Sequence, residues 1–428
     1  MTVDQNATRL YCPNCKAFHP ARLVEEHNCM FWRVACPTGT RDVRISSDAA
    51  LFRKFRAQGR SIPDWYRKTI SNCILHINDD CSLHCPICFE DAGRKGWRMS
   101  LDEVRDAARK IAARNPVNVM LIGGEPADHP QLPEILRILT KEFGFRCSML
   151  TNGVRLGTQA DFARLMKASG LCKASISFDA FDPDVSKIMR GREDLVAIKQ
   201  KAVENCIAAG MQFSLVTTAS RANLSEIPKI VDFVIRHARW SPMYEIQCYQ
   251  EAGRVVPGLE SVDREEVVKE IVASGVVPGL TVDDFRVSPP VPAAGYCIHP
   301  DCGAGLFWIV KEGKAVPVNH RFAFDAFMDR LYRMKPAGRR VKWLRLFLLG
   351  IRYFGWRFVR LLRGWSGRPV RGNEHLQLLS ISGLMTPEKL DGHRFCHCTN
   401  GVLTKDGLFQ SPCYYYGLTY EKERGGRT

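Results

Sequence analysis

Between about Cys73 and Gln250 the chain repeats one pattern, a short β-rich run followed by a helical one. The β-rich runs fall at Cys73–Asn78, Val117–Ile122, Arg146–Leu150, Lys173–Phe178, Gln212–Thr218 and Tyr244–Tyr249. Helical periodicity fills the gaps, near Leu101–Arg114, Leu132–Phe143, Gln159–Ala168, Leu195–Ala209 and Glu226–His237. Strands that alternate with helices pair in parallel, because each helix crosses back over the sheet. Six such units, curled, make an α/β fold of the partial (β/α)6 TIM-type barrel kind. Its chemistry belongs at the C-terminal ends of the strands. The barrel is expected over 70–255. Before it, 1–60 forms an irregular, cysteine-rich metal-knuckle segment. After it come a Pro/Gly-bearing connector at 256–296, with one helix at Val262–Ala273, and a cysteine-rich C-terminal domain at 297–428.

Two totals bear on function. The 428 residues include 17 cysteines and carry a formal net charge of +16. No run of 18 apolar residues and no apolar leader is present, so the expected compartment is cytoplasmic. There, cysteines are for metal or catalysis rather than for disulfides. At 45% hydrophobic and 25% charged residues, disorder is excluded as the main state.

Directly after the first strand stands Cys81-Ser-Leu-His-Cys85-Pro-Ile-Cys88-Phe89. Three thiolates within one loop at a strand end can converge on one cluster. A [4Fe-4S] cube held by three ligands keeps its fourth iron open. A zinc knuckle is the alternative, but it normally closes four ligands. Further signals follow the later strands: Gly123-Gly124-Glu125-Pro126, Thr151-Asn152-Gly153, Ser177-Phe178-Asp179 and the stretch Gln247 to Arg254. Each alone is weak, since Asn-Gly is an ordinary turn signal. Their order, each after a strand, is the stronger observation.

In these motifs the chain resembles the radical SAM superfamily from about Cys73 to Arg254. The resemblance implies that the open iron chelates S-adenosylmethionine and that one-electron reduction cleaves it to a 5′-deoxyadenosyl radical. It assigns cluster ligation and catalysis to Cys81, Cys85 and Cys88. Cofactor binding falls to Gly123, Gly124, Glu125, Asn152, Ser177, Asp179 and Gln247. It also implies a one-electron donor such as flavodoxin or ferredoxin.

The flanks carry more cysteines. Cys12-Pro-Asn-Cys15 and Cys36-Pro37 have the form of a knuckle for mononuclear iron or zinc, with Cys29, His27 or His19 as fourth ligand. Cys297, Cys302, Cys398 and Cys413 suit an auxiliary [4Fe-4S] cluster, with Cys396 as competitor. A zinc site is the alternative there. Together with His299-Pro-Asp-Cys302-Gly303 and Cys398-Thr-Asn-Gly401, the set resembles the group of tetraether lipid synthases and class D, pterin-linked radical SAM methyltransferases.

From Arg330 to Asn373 basic residues recur and no Asp or Glu occurs. At about 100° per residue, 341–363 reads as one amphipathic helix. Lys342, Arg345, Arg352, Arg357, Arg360 and Arg363 fall on one face; Leu344, Phe347, Leu348, Phe354 and Phe358 fall on the other. That pattern suits an anionic membrane surface. A helix packed on the barrel is the plainer reading, and nucleic acid is disfavoured. The expectation is therefore a cytoplasmic enzyme, peripheral on the inner face of the membrane, that abstracts hydrogen from an unactivated carbon of a membrane lipid or isoprenoid-like substrate. A methyltransferase or a peptide-modifying maturase is the alternative. A non-enzymatic iron–sulfur scaffold is disfavoured by the intact cysteine loop and Glu125.

Overall fold

The computed structural model describes residues 7–59, 70–93, 96–287, 299–334, 339–365 and 373–419. The N-terminal segment is not irregular, as expected from its cysteines, but a four-stranded antiparallel sheet. Its strands are β1 (Ala7–Cys12), β2 (Ala17–Glu26), β3 (Cys29–Cys36) and β4 (Gly39–Ser46), followed by helix α1 (Ala49–Gln58). Alternation along β3 buries Met30, Trp32 and Val34 on one face, a period-2 signal that the cysteines obscured.

The barrel strands are where the repeat put them: β5 (Asn72–His76), β6 (Asn118–Ile122), β7 (Cys147–Thr151), β8 (Leu171–Ser177), β9 (Gln212–Ala219) and β10 (Met243–Cys248), all paired in parallel. Between them run α2 (Leu101–Ala112), α3 (Leu132–Arg137), α4 (Val154–Thr158), α5 (Phe162–Ser169), α6 (Pro183–Arg190), α7 (Leu195–Ala208) and α8 (Ile227–Arg236). Local chemistry sets their ends. Ser100 and Glu103 form a reciprocal capping box at the start of α2, and Gly191 at φ +82° ends α6. The outward residues of each strand, such as Leu75, Leu121, Met149, Ile176, Leu215 and Ile246, pack against helix residues such as Ile111, Ile135, Met166, Val203 and Ile230. Each such fully buried side chain contributes about 1.5–3 kcal/mol.

After the predicted connector helix, α9 (Arg264–Ala273), the C-terminal region does not form a separate domain. It extends the barrel sheet at both edges. A short β11 (Arg286–Val287), β12 (Gly303–Lys311) and β13 (Lys314–Pro317) lead through helices α10 (Phe324–Tyr332), α11 (Arg339–Phe354) and α12 (Arg357–Trp365) to β14 (Glu374–Ser382). β14 pairs in parallel with β10. Then α13 (Gly392–Cys396), β15 (Asn400–Leu403) and β16 (Phe409–Gln410) attach to the far edge, with β15 parallel to β5. The strand order is β11-β12-β14-β10-β9-β8-β7-β6-β5-β15-β16, curled but not closed by hydrogen bonds among the described residues. The expected single basic helix is broken into α11 and α12 at Gly355, whose φ is +58°. None of the described helices is long and apolar enough to cross a membrane.

Candidate active site

The loop after β5 gathers Cys81, Cys85 and Cys88 in one apolar nest with Leu83, Val154, Leu195 and Ile198. Burial pushes the Cys81 thiol up to about 12, and Glu125 and the other two thiols add to it. Burial raises Cys88 as well. Thiols held this way become thiolates when a metal's positive charge is there to stabilise them. The loop is clasped from β10's end. The Arg254 backbone N–H donates to the Cys88 carbonyl at 2.9 Å, and its side chain donates to the carbonyls of Cys85 (2.9 Å) and Ala92 (3.2 Å). Gly253, at φ +68°, allows this approach, since a Cβ there would collide with the carbonyls of Cys88 and Phe89.

Gly123 and Gly124 serve the same purpose from β6. The Gly124 N–H donates to Asn78 O at 3.0 Å and the Glu125 N–H to Asp80 O at 2.6 Å, with the chains too close for side chains. The Glu125 carboxylate is buried and accepts from Thr151 Oγ1 (2.6 Å), Ala127 N (3.0 Å) and Asn152 N (2.5 Å). Burial nonetheless lifts it to about 7. With three of roughly four lone-pair positions filled, one remains for a ligand's ammonium. Asn152 lies beside Cys81, Nδ2 to Sγ 4.0 Å.

At the ends of β8 and β9, Asp179 accepts from Arg190 (Nε 2.5 Å, Nη2 3.0 Å) and from the Thr218 N–H at 2.8 Å. Arg190 in turn reaches Cys85. Ser177 Oγ accepts from Lys199 Nζ at 3.5 Å, the only hydrogen bond of that buried ammonium among the described residues. Burial lowers Lys199 to about 8, against the pull of Asp179. Gln247, the next-to-last residue of β10, donates its amide to Glu245 at 3.0 Å.

Sequence reading missed Lys199, Arg190 and the clasp by Arg254. Lys199 did leave a signal, because it sits on the buried face of α7 between Leu195 and Ala202, where a lysine is out of place. Around the lumen, the strand residues that face inward make two walls. Ser148, Lys173, Ser175, Ser214, Glu245 and Gln247 line one. The other is apolar, with Ile74, Ile122, Leu150 and the late residues Tyr415 and Tyr416. The Tyr416 hydroxyl meets His76 Nε2 and Glu90, each at 2.9 Å.

Cys302 and Cys398 stand just before β12 and β15, so the two sheet edges bring them to one seam, and Cys413 joins them. Burial raises Cys413 to about 11 and raises Cys398 too; Cys302 adds to both, and Cys413 adds to Cys398. Arg394 Nε donates to Cys302 Sγ at 3.4 Å, and Met385 N donates to Cys413 Sγ at 3.4 Å. Cys396 is exposed, and Cys297 lies outside the described residues.

At the N-terminus, Cys12, Cys15 and Cys36 hold their sulfurs within 4.8 Å of one another. The Cys12–Cys36 separation of 3.7 Å matches the roughly 3.8 Å of a tetrahedral zinc–thiolate edge. His19 Nε2 is 2.9 Å from Cys15 Sγ. Cys29 opens β3 and Cys36 ends it, so Cys29, with His27 just before it, is far from the site. Of the three candidates for fourth ligand, His19 is the one that touches the group, through Cys15 alone.

Fold and site define a partial-barrel enzyme organised around a three-cysteine loop. Residues 75–234 match the family model of the radical SAM superfamily. The chain is 24% identical over 377 residues to 7,8-dihydro-6-hydroxymethylpterin dimethyltransferase of Methanocaldococcus jannaschii, covering 76% of this chain and 72% of that protein. It is 27% identical over 249 residues to a probable GTP 3′,8-cyclase of Methanococcus maripaludis, covering 55% and 82%. Similarity to the PqqA peptide cyclase of Ruegeria pomeroyi is 27% over 276 residues, covering 61% and 72%.

Proposed function

We propose that the chain cleaves S-adenosylmethionine reductively and functionalises a carbon of a hydrogen-bonding substrate held in the barrel lumen. The observation that carries this is the convergence of Cys81, Cys85 and Cys88 with Glu125, Asn152 and the underused Lys199 at adjacent strand ends. A [4Fe-4S] cluster on those thiolates, fed by a donor such as flavodoxin or ferredoxin, would supply the electron for the cleavage and so a carbon radical able to abstract hydrogen. Glu125 would present negative charge to the ligand's ammonium. Lys199 and Ser177 would receive its carboxylate. Asp179 would hold Arg190 against the loop.

The substrate reading rests on the lumen. Ser148, Ser175, Ser214, Lys173, Glu245 and Gln247 form a polar wall, partly paired within itself through Ser214–Ser175 at 2.9 Å and Gln247–Glu245 at 3.0 Å. A polar lining favours a polar substrate over a lipid or isoprenoid-like one. Methyl transfer is the reading favoured by similarity over 76% of the chain to a pterin dimethyltransferase. Cys302, Cys398 and Cys413 suit an auxiliary [4Fe-4S] cluster, and Cys12, Cys15, Cys36 and His19 suit mononuclear iron or zinc. The test is 5′-deoxyadenosine production after anaerobic reconstitution with iron and sulfide. Wild type should yield it and Cys88→Ala should not. Production retained by Cys88→Ala would reject the proposal.

A further inference from the structure

The basic segment carries two apolar surfaces rather than one. Phe354, Phe358 and Leu361 are buried against Ile309 of β12 and Phe327 and Leu331 of α10, as in any packed helix. A second stripe points outward. Leu344 is 58% exposed, Phe347 37%, Leu348 57% and Trp356 77%. These are four of the nine large hydrophobic side chains exposed among the described residues, and they fall within one stretch of thirteen. At about 100° per residue, Phe347, Leu344 and Leu348 fill one arc of α11, and Arg352 and Arg345 border it directly. Both arginines are exposed and have no ion-pair partner among the described residues. By contrast, Arg357 is bound to Glu374 at 2.5 Å, so it belongs to the packed side.

From this surface we infer that α11 and the turn after it dock the enzyme on an anionic lipid interface. An apolar stripe bordered by cations and free of acids matches the layering of such an interface, acyl chains inside and phosphates outside. A second copy of the chain would bring the same arginines against each other. Nucleic acid would use the cations but leave Leu344, Leu348 and Trp356 in water.

The position sharpens the role. Leu378 of β14 lies beside Met243 at the start of β10, and Glu374, which holds α12, comes four residues earlier. The helices thus sit toward the N-terminal ends of the barrel strands, away from the cysteine loop. Docking there anchors the enzyme and leaves the loop face open to water. It goes beyond the proposed chemistry and does not depend on it.

Sedimentation with phosphatidylcholine vesicles containing 30 mol% phosphatidylglycerol, roughly the charge of an anionic leaflet, tests this on the full chain. Wild type should bind at low salt and retain a weaker, salt-resistant part. The double variant Arg345→Gln/Arg352→Gln should bind roughly 30-fold more weakly at low salt, at about 1 kcal/mol per cation. Leu344→Ser/Leu348→Ser should lose the salt-resistant part. S-adenosylmethionine cleavage by both variants should match wild type, which separates failed docking from failed chemistry or folding. The inference is overturned if wild type stays in the supernatant, or if both variants sediment as wild type does. It is also overturned if the protein binds a duplex oligonucleotide in preference to the vesicles, or if the serine variant merely abolishes a dimer.

Discussion

Arg190 meets Asp179 through two hydrogen bonds, 2.5 and 3.0 Å, in a pair whose carboxylate side chain is only 1% exposed. Such a pair adds little net stability while intact, because both charges lost their water, but breaking it strands a charge in the interior. Asp179→Ala should therefore cost about 3–5 kcal/mol in a denaturant titration, and Arg190→Met in the same chain should recover part of it. Burial works to raise Asp179, but Arg190 outweighs it and holds the carboxyl below its ordinary range. A depressed carboxylate stabilises above its unfolded value, so this contribution should be present at neutral pH and lost as pH falls. Equal stability of single and double variants would count against the pairing.

Glu125 has the opposite sign. Burial lifts it from 4.5 to about 7, so the folded apo-protein prefers it protonated. Its contribution is fully present below about 4.5 and is lost as pH rises toward 7. Relative to Glu125→Gln, wild type should lose stability on the order of 3 kcal/mol over that window, at about 1.4 kcal/mol per unit. Unfolding midpoints of both apo-proteins at pH 5 and pH 8 measure it. A difference that does not change with pH would show that the carboxylate stays ionised in the apo-fold.

Much of this was legible in the chain. The period of strands and helices placed β5 to β10 within a few residues, because alternation and helical spacing are local properties. The cysteine loop and the Gly123–Glu125 turn were legible for the same reason. What stayed hidden depends on long-range pairing. Nothing in Glu374–Ser382 says that it will lie beside β10, or in Asn400–Leu403 that it will lie beside β5, so a separate domain was expected where the barrel in fact continues. Gly355 broke one expected helix into two, and only the fold says that Phe358 is buried while Leu348 is not.

Lys199 makes the sharpest test of cofactor binding. Its ammonium is buried, lowered to about 8 and has one long hydrogen bond, to Ser177 at 3.5 Å. A carboxylate delivered there would gain a charge-assisted bond of about 1.5–3 kcal/mol. Lys199→Met should thus weaken S-adenosylmethionine binding by equilibrium dialysis roughly tenfold to a hundredfold. The same variant should melt no lower than wild type, since the buried charge had little to hold it. Unchanged affinity would remove Lys199 from the site.

The seam between β12 and β15 gives the last expectation. Burial raises Cys398 and Cys413, with Cys302 adding to both, so the bare Cys398 and Cys413 thiols stay protonated. Arg394, donating to Cys302 at 3.4 Å, offsets part of the negative charge that three thiolates would bring with a cluster. In a chain lacking Cys81, Cys85 and Cys88, iron should therefore persist after anaerobic reconstitution, with the EPR signature of a reduced [4Fe-4S] cluster. Adding Cys398→Ala should remove that signal, while Cys396→Ala should leave it, since Cys396 is exposed and its thiol is not among those that shift Cys398 and Cys413. Replacing Arg394 with Met should keep the iron but move the cluster's reduction potential downward, because a cation beside a cluster favours its reduced form. Zinc in place of iron, bound by the same three cysteines, would instead make the seam a structural clamp between the two edges of the barrel.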